Sequence, residues 1–97
     1  MINLQGLGSM SSTEERRELK RLERETFGHK VREARRARGL KQADVAEAAG
    51  MSRVTLSKVE NGEHDLAVSF VRPLAAALGV PTAELFTDTD RERADGR

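Results

Sequence analysis

The chain has no cysteine, tryptophan or tyrosine, only two prolines, and three phenylalanines as its aromatic residues. Without cysteine, neither a disulfide nor a cysteine-ligated zinc can hold the fold together, and this usage suits a reducing compartment. The sequence has no apolar run of the roughly eighteen residues that a membrane helix needs and no signal-peptide pattern. We therefore expect a cytoplasmic protein without a membrane partner. No segment alternates with period two, so no strands are predicted.

Signs of catalysis are also missing. The two histidines, His29 and His64, are isolated from each other and from any nucleophile pattern. No Ser-His-Asp arrangement is evident, and no glycine-rich phosphate loop follows a strand. The sequence thus predicts a protein that is not an enzyme, with no catalytic residue, metal ligand or cofactor.

What is present is one small, charged domain. The 97 residues are 37% hydrophobic and 34% charged, with a net charge of +1. Residues 27–86 hold nine Lys and Arg against seven Asp and Glu, a difference of +2. A domain this weakly basic can bind nucleic acid only if its few charges are well placed.

The chain divides into four parts. Residues 1–12 lack periodicity and are predicted to be a tag remnant or a disordered leader. Residues 13–26 form a charged helical extension with Thr13 as the expected N-cap, interpreted either as a solvated extension of the next helix or as an arm for a partner. Residues 27–86 form the folded domain. The polar residues 87–97 are predicted to be a disordered tail.

Within the domain, helical periodicity and glycine stops predict five helices. The first three span about 26–38, 42–49 and 52–60. The fourth ends at Gly79 and is expected to pack one apolar face, and Pro81 and Thr82 open the fifth. The apolar face of the fourth helix comprises Val68, Val71, Leu74, Ala75 and Leu78.

Residues 42–61 meet the demands of two helices that cross steeply through a short turn. Ala46 is small where the helices come closest, and Gly50 tolerates the positive φ of the turn. The inside positions are apolar: Val45, Ala49, Met51, Leu56 and Val59. A random amphipathic hairpin would seldom satisfy all of these requirements.

Residues 27–86 resemble the lambda-repressor/Cro-like (XRE-type) helix-turn-helix family, which includes repressors, restriction-modification controller proteins and many antitoxins. The resemblance implies a compact five-helix, all-α DNA-binding domain. The matching residues are Gly28, Val31, Arg32, Arg35, Gly39, Leu40, Gln42, Ala46, Gly50, Ser52, Leu56, Ser57, Glu60, Asn61, Gly62, Leu74, Ala75, Ala77, Leu78, Gly79, Val80, Glu84, Leu85 and Phe86.

In this family the second helix of the pair enters the major groove. Placed at 100° steps, Val54, Ser57 and Lys58 lie opposite the inward Leu56, with Arg53 leading. We expect Arg53 to bond a guanine and Val54 to contact a thymine methyl. The helix starts are expected to hold phosphates. The candidate DNA-binding residues are Lys41, Gln42, Ser52, Arg53, Val54, Ser57, Lys58 and Asn61.

The resemblance assigns Arg35 and Glu60 to a structural ion pair joining the first helix to the recognition helix. The rest of the basic run in the first helix, Arg32 included, is interpreted as a solvated face.

This chain departs from the family at three places. Lys41 stands where a capping Ser or Thr is usual, which removes a cap worth about 1 kcal/mol. Glu63-His64-Asp65 stands where basic residues commonly contact phosphate. Pro73 interrupts the fourth helix, unless that helix starts near Ser69.

The sequence predicts a transcriptional regulator, in particular a repressor, that binds double-stranded DNA as a homodimer on a near-palindromic operator. Its interface is expected around Val80, Leu85 and Phe86, with the charged arm as second candidate. Two alternatives stay open. The chain could be an antitoxin that covers a toxin with its arm or tail, or a protein-interaction module that no longer reads DNA.

Overall fold

A computed structural model describes residues 11–86, which contain four α-helices and one 3₁₀ helix and no strand. The all-α class is confirmed, but the expected fifth helix is a single 3₁₀ turn. Across these residues no helix is both long and apolar enough to cross a membrane. Predictions for residues 1–10 and 87–97 lie outside the described part of the chain. The elements are α1 Ser12–Ala37, α2 Gln42–Ala49, α3 Arg53–Glu60, α4 Val68–Leu78 and the 3₁₀ helix Thr82–Leu85.

Helix α1 joins the predicted charged extension and the first domain helix into one uninterrupted element of 26 residues. The expected cap at Thr13 is wrong. Ser11 is the N-cap, and its hydroxyl accepts from the Glu14 backbone while the Glu14 carboxylate accepts from the Ser11 backbone. This reciprocal pair satisfies two N–H groups at the helix start, which Thr13, already inside the first turn, cannot do. Farther along, Arg21 bonds Glu18 and Glu25 on the exposed side.

One apolar cluster joins all five elements. Leu56 of α3, Leu74 and Leu78 of α4, and Val31 of α1 are completely buried. The remaining members are also nearly inaccessible to solvent: Val45, Ala46, Ala49, Val59, Ala75 and Leu85. The inside positions predicted for the helix pair therefore lie in the core, with Met51 packed at its edge.

Helix α4 differs from its predicted face at Val68, which is 87% exposed. Val68 begins the helix, six positions before Leu74, its first fully buried residue. The helix starts one residue before Ser69, and Pro73 consequently lies in its second turn. Pro73 has no N–H for the Ser69 carbonyl, but both residues are exposed, so solvent can satisfy that oxygen.

Two glycines set the position of α3. Gly50, between α2 and α3, has φ +81°, a left-handed conformation that ends α2 and turns the chain. Gly28 lets α1 approach the end of α3 closely: a Cβ there would lie 2.2 Å from the Val59 carbonyl oxygen. The close contact fixes α3 against α1 and leaves the opposite side of α3 facing solvent.

Candidate nucleic-acid interface

Helix α3 presents its predicted reading face to solvent. Arg53, Val54 and Lys58 are exposed, and Ser57 is half-buried. The Val54 side chain is 55% accessible. The opposite side of the helix is buried through Leu56. The helix thus offers two cations and an apolar side chain on one outward surface.

Ser52 caps α3, as its residue type predicts. Its hydroxyl accepts from the Thr55 backbone N–H at 3.0 Å and donates to the Thr55 hydroxyl at 2.9 Å. The Ser52 side chain is therefore already occupied by the cap, and a phosphate at this end would meet backbone N–H groups of α3.

Helix α2 begins without a side-chain cap. Lys41 occupies the N-cap position with extended backbone angles, and its side chain makes no capping hydrogen bond. The first N–H groups of α2 therefore have no side-chain acceptor, and Lys41 adds a positive charge beside them. Both features favour an anion at this helix end.

Glu60, at the end of α3, is the only buried charged residue described in 11–86. Its carboxylate accepts from Arg35 through two bonds, Nε to Oε2 at 2.7 Å and Nη2 to Oε1 at 3.0 Å. Arg35 also donates to the Leu40 carbonyl at 2.9 Å. The pair links α1 to α3, and because it is bidentate it fixes orientation as well as distance.

The environment of Glu60 favours its charged form. Burial alone would raise the pKa of the carboxyl group, but hydrogen bonds from Arg35, Gln42 and Arg32 outweigh this effect and hold the pKa below its usual value. The same contact raises the pKa of Arg35. The carboxylate is therefore ionised at neutral pH and can only accept hydrogen bonds.

Gln42 connects this buried pair to the reading face. Its Nε2 donates to Glu60 Oε1 at 3.0 Å, and its Oε1 faces Arg53 Nη1 at 3.4 Å. Since Glu60 accepts only, the amide oxygen of Gln42 must point outward, toward the guanidinium. One of the two amide N–H groups that a phosphate clamp would use is thus already committed, and Gln42 also steadies Arg53.

Sequence reasoning missed the role of Arg32, which it placed on a solvated face. Arg32 Nη2 donates to Asn61 Oδ1 at 2.5 Å, and its Nε lies 3.4 Å from Glu60 Oε1. The contact partners are 28 and 29 positions away in the chain. No local spacing signals such a pairing, because it depends on how α1 crosses the end of α3.

The acidic stretch after α3 is exposed at Glu63, His64 and Asp65. The turn before it is held against α1, since Arg24 Nε donates to the Gly62 carbonyl at 3.3 Å. The last turn of the predicted charged extension therefore contacts the helix-turn-helix, and the extension and the domain are continuous there.

Comparison with known proteins agrees with this geometry. The profile described as "Helix-turn-helix domain" matches residues 26–86, more than half of the chain. The chain belongs to the helix-turn-helix domain family.

Three relatives illustrate the likeness. The uncharacterized HTH-type transcriptional regulator RghRB of Bacillus subtilis is 36% identical over 80 residues, 72% of this chain and 58% of the relative. Control protein C.MunI of Mycoplasma sp is 30% identical over 67 residues, 68% of this chain and 90% of the relative. The solved structure of the restriction-modification controller protein C.AhdI from Aeromonas hydrophila has a TM-score of 0.65 at 33% identity, covering 68% of this chain and 96% of that one. The chain thus spans little more than half the length of RghRB and nearly all of C.MunI.

Proposed function

We propose that this helix-turn-helix protein is a transcriptional regulator that binds duplex DNA with α3 in the major groove. The observation that carries the proposal is the outward face of α3, where Arg53, Val54 and Lys58 are exposed while the opposite side is buried in the core. A helix held this rigidly, with donors and an apolar group on one side, matches what base edges offer in the major groove. Its likeness to regulators and controller proteins supports the same function.

The site residues divide into two roles. Arg53 and Val54, at the entering end of α3, are assigned to base reading, with Ser57 and Lys58 farther along the same side. Lys41 and the uncapped start of α2 are assigned to a phosphate, as is the start of α3 at Ser52. Gln42 lies between the two groups and is assigned to both. Its amide oxygen positions Arg53, and its remaining free N–H can donate to a phosphate.

Selection of binding sites from a pool of random duplexes tests this function. The proposal predicts one enriched motif, recovered by the full chain in repeated rounds. Failure of any motif to emerge would contradict sequence-specific recognition.

We also propose that the protein acts as a homodimer on a near-palindromic operator. One recognition helix covers few base pairs, and two half-sites about 34 Å apart would follow from twofold symmetry. The interface expected from the sequence needs two corrections: Leu85 is 1% exposed and belongs to the core, and Val80 is partly buried against that core. Phe86 is 62% exposed, as are Leu19 at 61% and Leu22 at 44%, and the three line one groove. This groove surface, Leu19, Leu22 and Phe86, is the interface we propose.

The antitoxin alternative gains no support from the relatives, which are named as a regulator and controller proteins. The exposed apolar groove could equally receive another protein, so a toxin partner stays a hypothesis. That the protein is not an enzyme and that it is cytoplasmic remain predictions from the sequence.

A further inference from the structure

We propose that Arg32 is a positioning residue that turns the side-chain amide of Asn61 so that its N–H groups face a DNA phosphate. The inference rests on the proposed function and extends it to a residue of α1 that lies outside the helix-turn-helix pair.

The contact geometry fixes the Arg32 guanidinium at two points. It donates to Asn61 Oδ1 at 2.5 Å and lies 3.4 Å from Glu60 Oε1. Glu60 has no exposed side-chain surface, whereas the Arg32 side chain is 32% exposed. A guanidinium is planar with its N–H groups in a rigid fork. Anchoring one edge on a buried carboxylate therefore sets the direction in which the other edge points, and that direction is toward Asn61.

Hydrogen-bond polarity then determines the orientation of Asn61. Arginine has donors and no acceptor, so Asn61 must present its carbonyl oxygen to Arg32. The NH₂ group of the same amide is left on the far side, and it donates no hydrogen bond to any group among residues 11–86. Asn61 is exposed, so the two donors of this group face solvent. Turning the Asn61 amide by 180° would place its NH₂ group against the N–H groups of Arg32, which is unfavourable because neither side could accept a hydrogen bond.

The position of this group suits a phosphate. A continuous chain of side-chain contacts runs from Asn61 through Arg32, Glu60 and Gln42 to Arg53. Asn61 is thus at the far end of the surface on which Arg53 reads bases, about 12 Å along the eight residues of α3. A phosphate oxygen placed there can accept a charge-assisted hydrogen bond from either of the free donors.

The competing explanation is that Arg32 itself contacts the phosphate. The two explanations predict different results in a double-mutant cycle, in which affinity is measured for the duplex recovered in the binding-site selection. If Arg32 acts through Asn61, Arg32→Ala and Asn61→Ala each weaken binding by a similar factor, roughly tenfold or more for one hydrogen bond to a charged phosphate in each half-site. The double variant is then no weaker than either single variant. A direct Arg32 contact would make the two factors multiply.

Salt dependence provides an independent readout. Arg36→Ala is the matched control because it removes one exposed arginine from the same helix. Under the proposal, the slope of log affinity against log salt changes equally in Arg32→Ala and Arg36→Ala. If Arg32 neutralises a phosphate, Arg32→Ala lowers that slope by about one for each half-site, or about two for the dimer, more than the control does, with or without Asn61. That result would overturn the proposal.

A measurement without DNA separates this inference from the proposed function. The proposal predicts that Arg32→Ala shifts the Asn61 side-chain amide signals in an ¹⁵N–¹H spectrum, that Arg32→Lys restores them in part, and that Arg36→Ala leaves them in place. Unchanged Asn61 signals in folded Arg32→Ala would disprove the positioning role even if DNA binds. Shifted signals with no binding of the wild type to any duplex would instead reject the proposed function, and with it the phosphate role.

Discussion

Gly28 of α1 lies directly against the carbonyl oxygen of Val59, so closely that a Cβ on Gly28 would be 2.2 Å from that oxygen and 2.9 Å from the carbonyl oxygen of Glu60. The contact is between two backbones, and neither can move without displacing its helix. It holds the end of α3 on α1 at the point where the buried Arg35–Glu60 pair also joins them. The orientation of the reading face therefore depends on a residue that does not touch that face.

Gly28→Ala is predicted to destabilise the fold. The added methyl group would meet backbone atoms that cannot move aside, so its cost lies near the upper end of the usual range for overpacking, about 3 kcal/mol. Alanine recovers about 1 kcal/mol through its higher helix propensity, so the free energy of unfolding should fall by about 2 kcal/mol. Urea unfolding followed by circular dichroism measures this change. Lys20→Ala, at an exposed position about two turns earlier in α1, is the control and should stay within about 0.5 kcal/mol of wild type. An equally stable Gly28→Ala variant would show that the two helices are not so close.

The ionisation of Glu60 predicts a loss of stability in acid. Its pKa in the folded state lies below the ordinary value of 4.5, so the charged form stabilises the fold above that value. This stabilisation is lost as the pH falls through the folded-state pKa. Urea unfolding between pH 3 and pH 7 should therefore show a decline below about pH 4.5 that is shallower in Glu60→Gln.

Glu18→Gln is the matched control for this experiment. The pKa of Glu18 is also lowered, by the side-chain hydrogen bond from Arg21, but the Glu18 and Arg21 side chains are both exposed on α1. The control should keep the acid dependence of the wild type, because solvent screens exposed pairs. Identical profiles for Glu60→Gln and the wild type would mean that the buried pair does not control the acid transition.

Arg53→Ala should relax the preference at one base pair of the selected site without changing the fold. Arg53 lies at the exposed start of α3, and a good bidentate contact to a base contributes about 1–3 kcal/mol of discrimination. Affinities for a panel of single-base variants of the site measure this effect. Arg36→Ala removes the same charge elsewhere and should preserve the preference at every position. A uniform loss across the panel would reassign Arg53 to a phosphate.

The groove surface should govern self-association. Leu22→Glu and Phe86→Glu each place a charge on an exposed apolar position and should shift the sedimentation of the chain from dimer to monomer. Ala43→Glu makes a similar change on the exposed side of α2 and should leave the dimer intact. A wild type that sediments as a monomer at all concentrations, or variants that remain dimeric, would rule out this interface.

The sequence predicted the helix-turn-helix well because its boundaries are set by local chemistry. Gly50 ends α2 and Ser52 caps α3, and both effects depend on a single residue and its neighbours. The start of α1 could have been predicted only in part. Ser11 and Ser12 each have a glutamate three positions later, in the capping-box spacing, whereas Thr13 has Arg16 there. The spacing therefore excludes Thr13 but does not choose between the two serines.

The remaining errors share a tertiary cause. Val68 follows the apolar period of α4, yet none of residues 11–86 buries it. Leu85 fills the core although its neighbour Phe86 is exposed. Phe86 instead lies beside Phe27, with ring centroids 5.3 Å apart. The contact between Arg32 and Asn61 depends on the crossing of α1 and α3. Periodicity shows which side of a helix is apolar, but it does not show how much of that side a neighbouring element covers.

The central claim is sequence-specific DNA binding by the outward face of α3, and competition across salt concentrations tests it most directly. The affinity of the full chain is measured for its selected duplex and for a shuffled duplex of the same composition, over a range of salt. We predict that both affinities fall linearly on logarithmic axes, as counterion release requires, while the selected duplex stays at least about a thousandfold tighter. Equal affinities for the two duplexes, or a binding signal independent of salt, would contradict the account.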